Sequence, residues 1–303
     1  QDRILKDYDD FSLIGKSIKF NNCNKILSKE REFSKKLLKE AILGEESKTI
    51  DLLDKHYKCT GCKMCEQICP VNAIKMIENS EGFIEPVIDK NKCIKCSVCY
   101  KRCPQLNDIK IINKLDKPQT FAAKNKNKNE QKQSSSGGIF SVLARYILEN
   151  KGVIYGASFD NNLNLNHIRI ENLEELYKLR GSKYLQSNTQ ETFRLVKQDL
   201  NSNIKVLYVG TPCQIAGIRN YLGKNYNNLL LVDLVCHGVP NQKIFNRYIE
   251  WLGKKSNSKV KNYAFRSKEK NSWGLNSKVE FENNKIKYIA ANLDPYYKSF
   301  LDG

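Results

Sequence analysis

Cysteine is the residue type whose spacing most clearly indicates chemistry in this sequence. Eight of the 11 cysteines lie between Cys59 and Cys103, in two copies of the pattern C-x2-C-x2-C-x3-C-P. Thiolates bind zinc or iron–sulfur clusters. Structural zinc is the alternative, but an ion with four ligands does not explain the third cysteine and the Cys-Pro end of both copies. The pattern therefore predicts two [4Fe–4S] clusters, each held by four thiolates.

The same spacing predicts which cysteines share a cluster. Three cysteines at i, i+3 and i+6 can wrap one cube, whereas the fourth lies too far along the chain and ligates the other. Residues 71–78 and 82–89, between the two copies, predict a short hairpin. Two such cubes in a small domain conduct single electrons, as in bacterial-type ferredoxins. The predicted ligand sets are Cys59, Cys62, Cys65 and Cys103 for one cluster, and Cys93, Cys96, Cys99 and Cys69 for the second.

From residue 134 onward, helical and strand patterns alternate, which predicts an α/β domain with a largely parallel central sheet. Residues 205–209 and 229–235 are short apolar runs of the kind buried on both faces of a parallel sheet. Ligands of open α/β sheets bind beyond the carboxyl ends of such strands. The loops after these two runs are therefore candidate binding segments.

Three loops contain residue types suited to such a site. Ser134-Ser-Ser-Gly-Gly138 precedes a helix, so its hydroxyls and amides could cap that helix or bind a phosphate. In the second loop, Thr211 is the expected N-cap and Pro212 the first helical residue, so the helix dipole would favour a thiolate or a bound anion at Cys213. The third loop contains Cys236 and His237. Buried, inert cysteines fit these patterns equally well, and neither a GxGxxG nor a GxxxxGK[ST] motif occurs.

The charge of the chain is strongly positive but spread along the sequence. The 303 residues include 51 Lys and Arg against 33 Asp and Glu, a formal charge of +18, with a local maximum at 254–270. That stretch could be a solvated surface, a docking face for an acidic redox partner, or a nucleic-acid surface, which no nucleic-acid-binding motif supports. No apolar run reaches the roughly 18 residues of a membrane span, so we expect a cytoplasmic protein.

These patterns divide the chain into four parts and predict an α+β fold. Residues 1–56 form an N-terminal helical extension with a helix over 28–43, in which Cys23 and His56 have no expected role. Residues 57–106 form the small ferredoxin-like domain with two [4Fe–4S] clusters, and 107–133 a solvated linker. Residues 134–303 form the α/β domain, whose last forty residues read as strands.

Four further motifs give the sequence a specific resemblance. SSSGG (134–138), RGSKYLQS (180–187), VGTPCQIAG (209–217) and DLVCHGVP (233–240) follow the cysteine motifs in order. Together they resemble the family of beta subunits of coenzyme F420 hydrogenase/dehydrogenase over about residues 57–303. Similar proteins continue with a further cysteine motif after the Tyr-Tyr-x-x-Phe pattern that begins at Tyr296, so we expect this chain to be shortened at its carboxyl end.

The resemblance implies an iron–sulfur flavoprotein oxidoreductase. Bound FAD would exchange hydride with reduced coenzyme F420 or another small organic donor or acceptor, and a redox partner protein or ferredoxin would exchange electrons with the clusters. The alternative is a non-catalytic electron-transfer subunit of a larger redox complex. The candidate catalytic residues are Cys213, Lys183 and His237, with Lys183 or a loop amide stabilising the anionic reduced flavin. The candidate cofactor-binding residues are Ser135, Ser136, Gly137, Gly138, Gly181, Ser182, Lys183, Tyr184, Thr211, Pro212, Cys213 and Gln214.

Overall fold

The computed structural model of the chain describes residues 48–53, 58–107, 117–270 and 275–302, together with the backbone of residues 11–13. The predicted helix over 28–43, Cys23 and His56 lie outside these described residues. Within the described ranges, we find no helix with the length and apolar character needed to cross a bilayer.

The two cysteine motifs fold into matching loops, each followed by a short helix, with a hairpin between them. Lys63 and Ser97, which follow the second cysteine of each motif, have left-handed φ values of 62° and 59°. Gly61 and Lys95, which precede that cysteine, have φ values of 63° and 55°. Left-handed backbone is costly for residues other than glycine and tends to persist at functional sites. The elements of this half are β1 (Phe11–Leu13), α1 (Met64–Ile68), β2 (Ile74–Glu78), β3 (Ile84–Ile88) and α2 (Val98–Arg102).

The second half is built on a four-stranded sheet of strand order β6-β5-β7-β8. Strand β5 runs parallel to β7 and β7 runs parallel to β8, whereas β6 pairs antiparallel with β5. This mixed sheet, with two of its three pairings parallel, confirms the predicted parallel character. The elements up to this sheet's last strand are β4 (Ala123–Asn125), α3 (Lys128–Lys132), α4 (Ile139–Glu149), β5 (Val153–Phe159), β6 (Leu165–Ile170), α5 (Leu176–Leu179), α6 (Thr192–Asn201), β7 (Val206–Gly210), α7 (Pro212–Leu222) and β8 (Leu229–Asp233).

The two faces of the sheet pack against different helices, because alternate side chains of a strand point to opposite faces. Tyr155 and Tyr208 face α6, α7 and the cysteine-containing domain. Ile154 and Leu207 face α4 and α5. The cysteine-containing domain therefore shares one apolar core with a face of the sheet.

Strand β8 differs from the prediction that it is buried on both faces. It is half-buried along Leu229–Val232 and exposed at Asp233, whereas β7 is buried at four of its five positions. The reason is topological: β7 lies inside the sheet, but β8 is an edge strand with a neighbour on one side. Its leucines resemble those of a central strand because apolar composition does not report sheet order.

The carboxyl-terminal region is not composed of strands alone. Strands β9 (Val260–Ala264), β10 (Asn276–Phe281) and β11 (Ile286–Ala290) form an antiparallel sheet beside helix α8 (Gln242–Ser256), and a final helix, α9 (Pro295–Asp302), follows. Buried Asp294 accepts hydrogen bonds from the hydroxyls of Tyr263 at 2.6 Å and Ser277 at 2.9 Å. The backbone N–H of Tyr297 also donates to it at 3.0 Å. The sequence pattern predicts strands for the last forty residues, and the final helix is a correction to that prediction.

The predicted solvated linker over 107–133 is wrong for its last ten residues. Strand β4 and helix α3 lie there, with Asn125 and Glu130 buried. The carboxylate of Glu130 pairs with Arg145 and Arg180. Although burial favours the protonated acid, hydrogen bonds from Asn125 and Arg145 lower the pKa of Glu130. These partners let a charged, asparagine-rich segment pack against the α/β domain.

Candidate functional site

The eight motif cysteines surround two separate small cavities. One cavity is lined by Cys59, Cys62, Cys65 and Cys103, which we call the inner cysteine set. The other is lined by Cys69, Cys93, Cys96 and Cys99, the outer cysteine set. In both sets the fourth cysteine comes from the other motif, which is the grouping that the spacing predicts.

The donor chemistry of both sets fits a [4Fe–4S] cluster. Each offers four thiols around one cavity, and the backbone N–H of Ala73 donates to the sulfur of Cys69 at 3.2 Å. Among the described residues, no three His, Cys, Asp or Glu side chains converge as they would on a single metal ion. Four thiolates on a cube bind four different irons and stand further apart than the ligands of one ion, so this finding does not count against a cluster.

The two sets differ in their exposure to solvent. Burial raises the pKa of Cys62 to about 12 and that of Cys103 to about 11, and it raises the pKa of Cys65 well above its usual range. Ligation by iron must therefore displace the thiol protons. In the outer set Cys99 is buried, but Cys96 is exposed. The inner set faces the protein interior and the outer set approaches the surface.

The inner set lies against the α/β domain. The hydroxyl of Thr189 donates to the carbonyl of Cys62 at 3.2 Å, and the side-chain amide of Gln186 donates to the carbonyl of Thr60 at 2.9 Å. Helix α7 comes closest, because a Cβ added at Gly217 would lie 3.2 Å from both Cβ and Sγ of Cys62. The first turn of the same helix contains Cys213. Helix α7 therefore connects the inner set with the loop after β7.

We predict that Gly217→Ala destabilises the junction between the two domains. The new methyl group would also meet Phe193 at 3.3 Å, so three close contacts outweigh the gain of about 1 kcal/mol that alanine brings to a helix. A net loss of about 1–2 kcal/mol is expected, as for other overpacked cores. Anaerobic denaturant unfolding measures it. Gly253→Ala in α8 is the matched control, because its Cβ would have one contact closer than 3.4 Å, and equal stability of the two variants would contradict the prediction.

A cavity of about 370 Å³ opens at the carboxyl ends of β5 and β7. Three loops named by the sequence form its walls: the serine-rich loop before α4, the turn after α5 and the start of α7. Parallel strands end at this edge, where α/β sheets bind ligands. The predicted site residues that line it are Ser135, Ser136, Gly138, Gly181, Ser182, Lys183, Thr211 and Gln214.

Five predicted residues do not line this cavity. The ring of Tyr184 stacks on Phe300 at 4.4 Å within the aromatic core, and a Cβ on Gly137 would lie 2.9 Å from the carbonyl oxygen of Ala123. His237 is exposed, and its ring contacts Phe300 at 4.8 Å. The remaining two, Pro212 and Cys213, follow Thr211 into helix α7.

Cys213 is not the thiolate site that its position predicts. Its Sγ lies 3.1 Å from the hydroxyl of Thr211, in the first turn of α7. Burial nevertheless raises the pKa of its thiol, so desolvation outweighs the favourable helix dipole. Thr211 and Gln214 form the predicted cap, with the N–H of Thr211 donating to Oε1 of Gln214 at 3.0 Å. The loop is held rigidly, with a neutral thiol beside it.

Lys183 places its amine against the turn that forms one wall of the cavity. Nζ donates to the carbonyls of Leu179 at 3.2 Å, Arg180 at 2.9 Å and Gly181 at 3.2 Å. The side chain as a whole is half-buried, but burial of its amine lowers the pKa of Lys183 to about 7. Lys183 thus fixes the Gly181 turn and titrates near neutral pH.

His167 is a wall residue that the sequence did not reveal. Its Nε2 lies 3.0 Å from the carbonyl oxygen of Val209, which can only accept, so Nε2 has the proton and Nδ1 accepts from Ser187 at 2.9 Å. Gln214 donates to the same hydroxyl at 2.9 Å. Burial lowers the pKa of His167 to about 4, so the ring is neutral. The available signals were Ser187 and Gln214, which both lie in motifs of the family.

Comparisons with known proteins place these features in context. The family model "Coenzyme F420 hydrogenase/dehydrogenase, beta subunit" has an amino-terminal part, which matches residues 120–193, and a carboxyl-terminal part, which matches residues 204–297. A model described as "4Fe-4S dicluster domain" matches residues 58–107. The amino-terminal match begins inside the predicted linker, at the segment that the structure shows to be folded.

Individual relatives are covered over only part of their own length. One of the subunits of the F(420)H(2) dehydrogenase of Methanosarcina mazei is 24% identical over 60% of this chain and 54% of the relative. Coenzyme F420-dependent sulfite reductase of Methanocaldococcus jannaschii is 28% identical over 60% of this chain and 28% of the relative. The chain thus spans about half of one relative and about a quarter of the other.

A solved structure, that of the F420-reducing [NiFe] hydrogenase complex from Methanosarcina barkeri, has 19% identity and a TM-score of 0.39 over 59% of this chain and 60% of that chain. This likeness is too low to support an argument about function. The two parts of one family model, in contrast, together match more than half of the sequence. The chain therefore belongs to the family of coenzyme F420 hydrogenase/dehydrogenase beta subunits and includes a 4Fe-4S dicluster domain.

Proposed function

We propose that the protein is an iron–sulfur flavoprotein oxidoreductase that passes electrons between its two clusters and an FAD bound in the 370 Å³ cavity. The observation that supports this most is the position of α7. Its amino-terminal residue Thr211 lines the cavity, while Gly217 contacts Cys62 of the inner set. One helix thus joins a cavity suited to an organic cofactor to the nearer of two electron carriers.

The residues around the cavity fit a flavin. Hydroxyls and amides of the serine-rich loop and of the Gly181 turn offer polar groups, while Leu143, Leu179 and Leu207 form an apolar wall. At Gly181, with φ of 85°, nothing lies within 4 Å of an added Cβ, so the turn is open. A bound FAD would supply the conversion between a two-electron hydride and single electrons. In this proposal Lys183 stabilises negative charge, and His167 with Gln214 keeps the Thr211 loop in place.

The substrate is proposed by the family and its relatives. Two relatives are named for coenzyme F420, so reduced F420 or another organic hydride donor or acceptor is the proposed partner of the flavin. The domain limits near residues 57, 107 and 134 are likewise proposed, with residues from about 120 assigned to the α/β unit because β4 and α3 pack there. Cys213 has no assigned step, because its thiol is neutral and lies outside the cavity wall.

Anaerobic purification followed by cofactor analysis tests the proposed function. We expect about eight irons per chain, as two [4Fe–4S] clusters require, together with one flavin. A reduced deazaflavin should then bleach the cluster absorbance only in flavin-loaded protein. Full iron content without flavin, and with no response to any hydride donor, would contradict the proposal and favour the non-catalytic electron-transfer subunit.

A further inference from the structure

The loop that leads into the outer cysteine set reaches the surface of the protein. We call residues 89–97 the outer loop. Cys96 is exposed within it, Lys95 is exposed beside it, and Ile94 is 61% exposed. An exposed isoleucine next to a cluster ligand forms a small apolar contact where the outer cluster is most accessible. The inner set has no comparable face among the described residues, because Cys65 and Cys103 are buried.

The outer loop is also basic. Lys90, Lys92 and Lys95 are exposed, and the loop contains a single acid, Asp89. Asp89 lies 3.5 Å from Lys92, but both side chains are well solvated, at 42% and 65% exposure, so their attraction is weak. Lys101 and Arg102 follow on α2 and are exposed as well. The accessible edge of the outer cluster is therefore surrounded by positive charge.

The acids of the neighbouring hairpin point to a different part of the molecule. Glu78, at the far end of β2, pairs with Lys243 at 3.6 Å, and the carbonyl of Glu81 accepts from Asn241 at 2.8 Å. These contacts fix the hairpin tip against the start of α8. The tip and the outer loop are separated by the length of a five-residue hairpin, roughly 16 Å, which exceeds the Debye length at physiological salt. The acids do not cancel the positive field of the outer loop.

We propose that the outer loop is the docking surface for an acidic one-electron carrier protein. This inference rests on the proposed function, because it gives the two clusters their external partner. The apolar side chain of Ile94 would provide the centre of the contact and the lysines its rim, which steers the encounter of opposite charges. Each encounter transfers one electron between the carrier's redox group and the outer cluster; the donor is oxidised by one electron and the acceptor reduced by one, with no bond or proton change.

Binding and electron transfer to an acidic bacterial-type ferredoxin test this surface. The variant Lys90→Glu/Lys95→Glu should weaken binding at low ionic strength by about 10-fold or more and slow cluster reduction by a similar factor. Both effects should largely disappear in 0.5 M salt, because the charges are exposed (a Debye length of about 4 Å, by interpolation). Calorimetry measures the affinity, and stopped-flow absorbance measures the rate.

The control is Lys259→Glu/Lys261→Glu, an equal charge change on exposed lysines of the 254–270 stretch. It should retain wild-type affinity within about two-fold, as expected for surface charges outside an interface. Equal losses in both variants, or wild-type binding that is indifferent to salt, would overturn the proposal. If a glutamate beside Cys96 lowers the iron content, Lys90→Glu/Lys92→Glu provides the same test.

The result is separable from the proposed function. Reduction of the clusters by a small viologen, which needs no protein docking, should be unchanged in all three variants. Ferredoxin binding does not require flavin, so a protein without flavin would contradict the proposed function and leave the docking result intact. Conversely, flavin-dependent turnover with normal viologen kinetics but no ferredoxin binding would overturn the docking surface alone.

Discussion

Replacing Cys69 by alanine is expected to remove the outer cluster, although Cys69 belongs to the first cysteine motif. Its side chain lines the same cavity as Cys93, Cys96 and Cys99. Iron content should therefore fall from about eight to about four per chain, because three thiolates are left for the outer cube. Mössbauer or electron paramagnetic resonance spectra should retain a single cluster, in the buried environment of the inner set.

The reciprocal variant, Cys103→Ala, is the matched control. It should remove the inner cluster and keep the outer one, because Cys103 lies with Cys59, Cys62 and Cys65. The two variants then differ in function. Cys69→Ala should keep exchange between the cavity and the inner cluster while electron transfer from a carrier protein falls by about 100-fold or more. Cys103→Ala should retain reduction by the carrier but lose the connection to the cavity.

Sequential ligation would give the opposite pattern. If each motif held its own cube with its own four cysteines, Cys69→Ala would remove the inner cluster and Cys103→Ala the outer one. The spectra distinguish these outcomes, because the outer cluster beside exposed Cys96 should exchange electrons with a carrier protein and the inner one should not. Loss of both clusters in each variant would contradict independent cavities.

The cluster ligands could be predicted from sequence because their geometry is local. Three cysteines within seven residues must lie close together whatever the rest of the chain does, and the loop conformations at Lys63 and Ser97 repeat this locality in the backbone. The cavity loops were also accessible, since the ends of adjacent parallel strands meet at one edge of a sheet. Thr211, for example, follows β7 directly and lines the cavity.

Other features depended on contacts between distant parts of the chain. His167 lies on an edge strand of alternating pattern, and only folding brings it to Ser187 and to Val209, 42 residues away. The acidity predicted for Cys213 from its helix position failed because burial in the folded chain outweighs the dipole. Glu130 gave no sign of burial, since its partners Arg145 and Arg180 lie in other elements.

Replacing Lys183 by methionine is expected to weaken binding of the reduced flavin more than that of the oxidised flavin. The ammonium is a positive group that the turn holds in place, through the carbonyls of Leu179, Arg180 and Gly181. Loss of a charge-assisted hydrogen bond, about 1.5–3 kcal/mol, corresponds to roughly 10- to 100-fold in the ratio of reduced to oxidised affinity. Flavin titration in both redox states measures this ratio.

The pH dependence of stability gives Lys183 a second, independent signature. Its pKa is about 7 in the folded protein and 10.5 in an ordinary lysine, so between these values the unfolded chain holds the extra proton. The stability of the wild type relative to Lys183→Met should therefore rise with pH across this window, by at most about 1.4 kcal/mol per unit, and be flat below pH 6.

A surface lysine on the same turn of chain separates charge from position. Lys178 pairs with Glu175 at 2.7 Å on the exposed side of α5, so Lys178→Met removes one positive charge without touching the cavity. It should change neither the flavin affinity ratio nor the pH dependence between 7 and 10. If Lys183→Met behaved like this control in both measurements, Lys183 would be a structural support of the Gly181 turn and not a charge that acts on the flavin.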